Sequence, residues 1–360
     1  MVKSEWISFS PKTAPASAFL QSSSTLTASS ATRNCWLASD AKGSITSVDI
    51  MDDYIQHLLS YVDIPSLKPL KIVVNAGNGG AGPIVDLLEK HLPFEFIKVF
   101  HEPNGDFPNG VPNPLLHENR AVTHDAVLEH KADLGVAWDG DFDRCFLWDE
   151  TGEFIEGYYI VGLLAKAMLA KEPGAKIVHD PRLTWASIEM IEQLGGVAVQ
   201  SKSGHAFMKE KMRTTGALLG GEFSGHIFFG ERWFGFDDGM YAAGRLAEIM
   251  STQGDSLDDI IDTFPATVNT PEILIPVTEQ NKQPLMDRII RNTDFSSGKV
   301  NTMDGIRVDF SEGWGLVRAS NTSSALTARF EATSAEALEM IMSEFREQIA
   351  LVDSSLELTF

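Results

Sequence analysis

Between positions 49 and 264 the hydrophobic residues switch repeatedly between two spacings. Short aliphatic runs that suit buried strands alternate with segments whose apolar residues recur every three or four positions, as on one face of a helix. MDDYIQHLLSYV places Ile50, Tyr54, Ile55, Leu58, Leu59 and Val62 on one helical face, and Pro65 ends the element. LKIVV then predicts a strand, GNGGAG a tight turn, and PIVDLLEKHL a helix. FEFIKVF, AVTHDAVLEHKA and ADLGVAW continue the alternation, so residues 49–150 read as one α/β domain. GYYIVGLLAKAMLAK, AKIVHD, TWASIEMIEQLG, VAVQSK, HAFMKEKMRTTG and ALLGGE repeat it, and residues 151–264 read as a second. Strand–helix alternation implies mixed, mostly parallel sheets covered by helices on both faces, which is a three-layer α/β architecture.

After Pro265 and Pro271 the period changes to two. ILIPVTE, KVNTMDGIRVDF, GWGLVRAS and ALTARFEA alternate apolar and polar residues, and SAEALEMIMSEFREQIALV is helical. Residues 268–360 therefore read as a smaller α+β domain. The first 48 residues have neither period and are rich in Ser, Thr and Ala, the pattern of a poorly ordered leader.

Composition narrows the class. The chain has 360 residues and a formal net charge of −21, so its surface repels phosphate backbones and anionic membrane faces, and nucleic acid is not an expected partner. Two cysteines cannot build a disulfide framework, and no apolar run approaches a membrane span, which together predict a cytoplasmic protein. Oligomeric state is not encoded in any of these patterns.

Four peptides carry candidate chemistry. Asp139, Asp141 and Asp143, in DGDFDR directly after a predicted strand, can converge on one hard divalent cation such as Mg²⁺ and leave positions for water or a phosphate; equally, an acidic turn can be merely solvated. An EF-hand is excluded, since Arg144 stands where its turn needs glycine. Gly77, Gly79 and Gly82 match G-x-G-x-x-G after a strand, so a nucleotide-dependent oxidoreductase is an alternative, as is a turn that simply needs glycine. Glu222, Ser224 and His226 in GGEFSGH offer donors and acceptors to a polyol. Arg318, Ser320, Asn321 and Thr322 suit a phosphate dianion, or form an ordinary Ser/Thr-rich hairpin turn. Arg182 and Lys209 are further candidate cations.

In this order, DGDFDR, GEFSGH, ERWFGFDDG and RASNT resemble the α-D-phosphohexomutases, specifically the phosphomannomutase/phosphoglucomutase branch, over residues 49–360. The resemblance implies isomerases that interconvert hexose 1-phosphates and 6-phosphates of mannose or glucose through a phosphoserine and a hexose 1,6-bisphosphate intermediate. It further implies that Asp139, Asp141 and Asp143 hold Mg²⁺ and that Arg144 lies beside the transferring phosphate. Glu222, Ser224 and His226 would bind the sugar, Arg318, Ser320, Asn321 and Thr322 the non-reacting phosphate, and Arg182 and His205 would act as acid/base or electrostatic participants.

The front of the chain departs from that family. Residues 1–48 are too few for a first α/β domain of about 100 residues. TASSATRNC has the letters around Ser29 but lacks the His-Asn-Pro that follows the family's phosphoserine, so Ser29 is not expected to be the nucleophile. Residues 1–48 are accordingly read as a remnant of a missing first domain. The expectation is a scaffold that binds hexose phosphates with little or no turnover, or a non-catalytic phosphosugar-binding protein.

Overall fold

The computed structural model describes residues 46–253, 256–321 and 323–360. Residues 46–57 enter the first helix, α1 (Met51–Ser60), and residues 58–360 form one body built on three sheets.

The first sheet contains β1 (Lys71–Asn75), β2 (Glu95–Val99), β3 (Leu134–Trp138), β4 (Cys145–Trp148) and β5 (Phe154–Ile155), in the order β2-β1-β3-β4-β5. β2, β1 and β3 are parallel, whereas β4 and β5 return antiparallel, so the sheet is mixed. Strand periodicity explains its two covered faces. Val73 and Ala137 cluster with Val127 of α3 (Ala121–His130) on one side. Ile72, Val74, Val136 and Trp138 face Val85 and Leu88 of α2 (Ala81–Leu88) on the other. That second face is completed by α7 (Gly239–Gln253), a helix about a hundred residues further along the chain.

The second sheet has the order β7-β6-β8-β9, from β6 (Lys176–His179), β7 (Val197–Gln200), β8 (Leu219–Gly221) and β9 (Ile227–Phe229). The first three run parallel and β9 antiparallel. Met208 and Met212 of α6 (His205–Thr215) pack on Val178 and Phe228. α4 (Gly157–Lys171) contacts β8 and α5 (Trp185–Gln193). A short helix, α8 (Leu257–Ile261), follows.

The third sheet is antiparallel, in the order β10-β15-β14-β13-β12. It comprises β10 (Val268–Asn269), β11 (Ile273–Pro276), β12 (Lys299–Asn301), β13 (Ile306–Asp309), β14 (Gly313–Ala319) and β15 (Ala325–Ala332), with β11 also paired to β15. Ile306, Val308, Val317, Leu326, Ala328 and Phe330 face α9 (Glu279–Asn292) and α10 (Ala335–Val352), forming the apolar core. The alternate positions on β13 to β15 include Arg307, Arg318, Arg329 and Glu331, all at least nine-tenths buried. They are covered by the second sheet's loops. Arg307 donates to the carbonyl of Leu183 at 3.2 Å, and the Trp185 indole to Asp309 at 3.0 Å.

The period-two reading of the C-terminal strands therefore holds for their pattern but not for a solvent-facing polar side. The helices α7, α8 and α9 were not legible beforehand. α7 carries two glycines and α9 an internal Pro284, residues that weaken a helical reading but are tolerated where packing supports the turn.

Candidate metal and phosphosugar site

The acidic loop leaves the C-terminal end of β3 and returns as β4. Asp139, Asp141 and Asp143 each present a carboxylate oxygen, all within 4.8 Å of one another. Asp139 is buried and Asp141 exposed. Burial, followed by the charge of Asp139, raises the Asp141 pKa. Burial also pushes Asp143 up to about 6, against the opposing pull of His226 and helped by the Asp139, Asp141 and Asp237 carboxylates. Charge that the protein alone compensates poorly is the condition a divalent cation relieves, and an all-oxygen donor set fits Mg²⁺. Arg144 turns back on the loop: its Nε donates to Asp139 Oδ2 at 2.7 Å.

Two glycine contacts hold this loop. Gly80 N–H donates to the Gly140 carbonyl at 3.0 Å, and Gly239 N–H donates to the Phe142 carbonyl at 3.1 Å. A Cβ on Gly79 would stand 2.6 Å from the Gly140 oxygen, and one on Gly82 2.0 Å from the His101 oxygen. The glycines of GNGGAG thus permit close approach of the protein's own backbone.

The sugar-loop candidates meet the acidic loop directly. Arg144 and His226 form an isolated antiparallel bridge, and Cys145 N–H donates to the Gly225 carbonyl at 3.0 Å. His226 Nδ1 lies 3.0 Å from Asp237 Oδ2 and 3.7 Å from Asp143 Oδ1. Burial opposes charge on His226, but the bond to Asp237 and the Asp143 and Glu222 carboxylates hold its pKa above the usual imidazole value. The same contact brings Asp237 down to about 2 against the effect of burial. Lys209 Nζ bridges Asp237 at 3.2 Å and His205 Nδ1 at 3.0 Å, and the His205 and His226 rings stack at 6.4 Å.

Glu222 is buried, and its Oε1 accepts Gly204 N–H at 2.5 Å. Burial and the charge of Asp180 raise its pKa. Ser224 is half-buried in the same loop. Arg182 stands apart from the open groups: its Nε donates to Asp180 at 2.8 Å and its Nη1 meets Glu272 at 3.2 Å. Its guanidinium is therefore neutralised in a buried ion pair rather than presented free.

The phosphate-loop candidates lie on β14 and the turn after it. Arg318 Nε donates to Asp304 Oδ2 at 3.0 Å, while its buried Nη2 has no hydrogen-bond partner among the described residues. Ser320 Oγ accepts from Ser323 N–H at 3.1 Å. Asn321 donates to the Ser203 carbonyl at 3.3 Å, and Ser203 N–H donates to Asp304 at 3.0 Å. Thr322, like Ser29 and Cys35, lies outside the described residues. The turn Ser203–Gly204 thus joins the two loops, touching Glu222 on one side and Asp304 and Asn321 on the other. Asp237, Asp304 and Asp180 were not singled out in the sequence. Each is one carboxylate among 50 acidic residues, and only its folded partner distinguishes it.

An apolar cavity of about 60 Å³ lies elsewhere, between α2, α7 and the first sheet.

Residues 52–152 match the phosphoglucomutase/phosphomannomutase α/β/α domain II, residues 156–268 match domain III, and residues 272–348 match the C-terminal domain. A protein named phosphohexose mutases from Xanthomonas campestris pv. campestris is 54% identical over 282 residues, covering 77% of this chain and 62% of its own length. The phosphomannomutase/phosphoglucomutase of Pseudomonas aeruginosa is 44% identical over 318 residues, covering 88% of this chain and 68% of its own. A crystal structure of a phosphoglucomutase/phosphomannomutase family protein from Burkholderia thailandensis superposes with a TM-score of 0.80 at 36% identity, over 87% of this chain and 66% of that one. The three successive matches fall on the three sheets that carry the acidic loop and the candidate sugar and phosphate loops, and the chain belongs to the phosphoglucomutase/phosphomannomutase family.

Proposed function

We propose that this chain forms the metal-, sugar- and phosphate-binding part of a phosphohexomutase and binds mannose or glucose phosphates together with Mg²⁺. The observation that carries the reading is the Arg144–His226 backbone bridge, which sets three convergent carboxylates against a loop of hydroxyl-recognising side chains. Asp139, Asp141 and Asp143 would hold the ion, which when bound supplies positive charge to phosphoryl oxygens. Arg144 would face the reacting phosphate and Glu222 would accept from sugar hydroxyls. Arg318, Ser320 and Asn321 would hold the distal phosphate, with Thr322 completing the turn. His226, in contact with Asp237, and His205, beside Lys209, are the proton-handling candidates; Arg182 would act through its field on Glu222.

Interconversion of 1- and 6-phosphates further needs a phosphoserine donor and a hexose 1,6-bisphosphate intermediate. TASSATRNC lacks the His-Asn-Pro of the family's phosphoserine loop, so turnover by residues 1–360 is proposed to be slight. Among the described residues no helix is long and apolar enough to cross a membrane, and a cytoplasmic location is proposed on the earlier grounds. The packing of Gly79 and Gly82 against backbone, and of Gly80 against the Phe142 ring, favours a supporting role for that turn over a dinucleotide cradle.

Titration calorimetry with glucose 1-phosphate, mannose 1-phosphate and glucose 1,6-bisphosphate, with and without Mg²⁺, tests the binding reading. Saturable binding strengthened by Mg²⁺ is the expected result, and no binding of any of them overturns it. A coupled mutase assay with added glucose 1,6-bisphosphate tests the impairment. Turnover equal to that of a full-length relative would show that this chain needs no further domain.

A further inference from the structure

Arg329 is a charged residue without the usual compensation. It is 2% exposed, and among the described residues its Nε and Nη1 have no hydrogen-bond partner. Burying a guanidinium without a paired carboxylate is costly, and an aliphatic side chain would fill the same space at less cost. What Arg329 does contact is aromatic. Its Cζ lies 3.9 Å from the Phe223 ring centroid and 5.1 Å from that of Tyr158.

Phe223 sits between Glu222 and Ser224. Its ring stacks on Tyr158 at 6.3 Å and 9°, its N–H faces Asp180 Oδ2 at 3.4 Å, and Arg182 Cζ lies 5.3 Å from its centroid. One guanidinium on this ring therefore comes from the loop after β6 and the other from β15. Arg329 also shares its strand face with the phosphate-loop strand: its neighbour two residues back, Thr327, pairs with Arg318.

We propose that Arg329 is a positioning residue. Its cation–π contact fixes Phe223, and through it the sugar-reading side chains Glu222 and Ser224, at a set distance from the phosphate-reading Arg318. The proposal rests on the phosphosugar-binding reading above. Its consequence is that recognition of sugar hydroxyls and recognition of phosphate are coupled through Arg329, although Arg329 touches neither ligand.

The test compares inorganic phosphate with glucose 1-phosphate, by calorimetry in Mg²⁺, on the wild type and on Arg329→Met, Arg329→Lys, Phe223→Leu and the Arg329→Met/Phe223→Leu double variant. Arg329→Met and Phe223→Leu should each weaken glucose 1-phosphate about tenfold and leave inorganic phosphate within about twofold. The double variant should be no worse than either single one, the mark of a shared interaction. Arg329→Lys, which retains a cation over the ring, should recover part of the loss. Equal loss for both ligands would make Arg329 a direct phosphate ligand and overturn the proposal, as would no loss for either. Hydrogen exchange of ligand-free Arg329→Lys and Arg329→Met supplies an independent readout, with faster exchange expected at residues 222–226 and little change in the first sheet. Unaltered exchange there overturns the positioning role. A wild type that binds phosphate but gains nothing from the sugar overturns the phosphosugar reading itself, and the exchange result then still decides what Arg329 does to the loop.

Discussion

The backbone N–H of Gly80 donates to the carbonyl of Gly140 across 3.0 Å, tying the glycine-rich turn after β1 to the acidic loop after β3. The neighbouring Gly79 has no room for a side chain, because its Cβ would press on that same carbonyl at 2.6 Å.

Gly79→Ala should therefore shift the acidic loop rather than merely strain its own turn. Overpacking of this kind costs about 1–3 kcal/mol, and Mg²⁺ affinity should fall about tenfold. Gly105→Ala, where a Cβ meets nothing within 4 Å, should leave affinity unchanged. Calorimetric titration of Mg²⁺ into both variants checks the pair.

Proton competition at Asp143 sets a pH dependence. Its pKa rises from 3.8 to about 6 on folding, so the folded chain binds this proton more tightly than the unfolded one. Its contribution to stability is therefore lost as pH rises from about 4 to about 6 in metal-free protein. Because the side chain is 37% exposed, the effect should stay below about 1 kcal/mol. Mg²⁺ needs the deprotonated form, so the rise in melting temperature on adding Mg²⁺ should be small at pH 5 and larger at pH 7. A shift that shrinks with rising pH would contradict this account.

Arg318→Lys keeps a positive charge but loses the planar fork, one arm of which is spent on Asp304. Affinity for a hexose phosphate should drop about tenfold, or about 1.4 kcal/mol, with inorganic phosphate weakened alike. Calorimetry on both ligands separates this outcome from that of Arg329→Met.

Phe345 anchors the C-terminal domain. It is fully buried on α10, with the Phe295 and Phe330 rings at 4.5 and 5.3 Å. Phe345→Ala should cost about 3–5 kcal/mol of that domain's stability and appear as an earlier unfolding transition in denaturant. Fluorescence of Trp314, on β14 of the same domain, offers a probe, read against the tryptophans of the other sheets.

Continuous aliphatic runs were enough to place β1, β3 and β6, and the helical period to place α10, because both signals are local in the chain. It could not place α7, whose apolar residues answer to the first sheet about a hundred positions earlier, nor show that β4 follows the acidic loop, since CFLW is too short to carry a period. The acidic, sugar and phosphate peptides were legible because their chemistry lies within six or seven consecutive residues. Their partners were not, since His226–Asp237, Arg318–Asp304 and the Ser203 turn are contacts made across loops.

By itself the sequence determined two α/β segments followed by an antiparallel one, and it marked three loops as candidates for a cation, a polyol and a phosphate. These are properties of neighbouring residues, governed by strand and helix periods and by side-chain donors and acceptors. Only the tertiary structure decided that GNGGAG supports the acidic loop, that Arg182 is spent on Asp180 and Glu272, and that the charged face of β14 and β15 is buried against Trp185 and Phe223. The reason is distance in the chain. A glycine's clearance, an arginine's partner and a strand's second face depend on atoms brought close by folding, and a linear pattern holds no measure of that proximity.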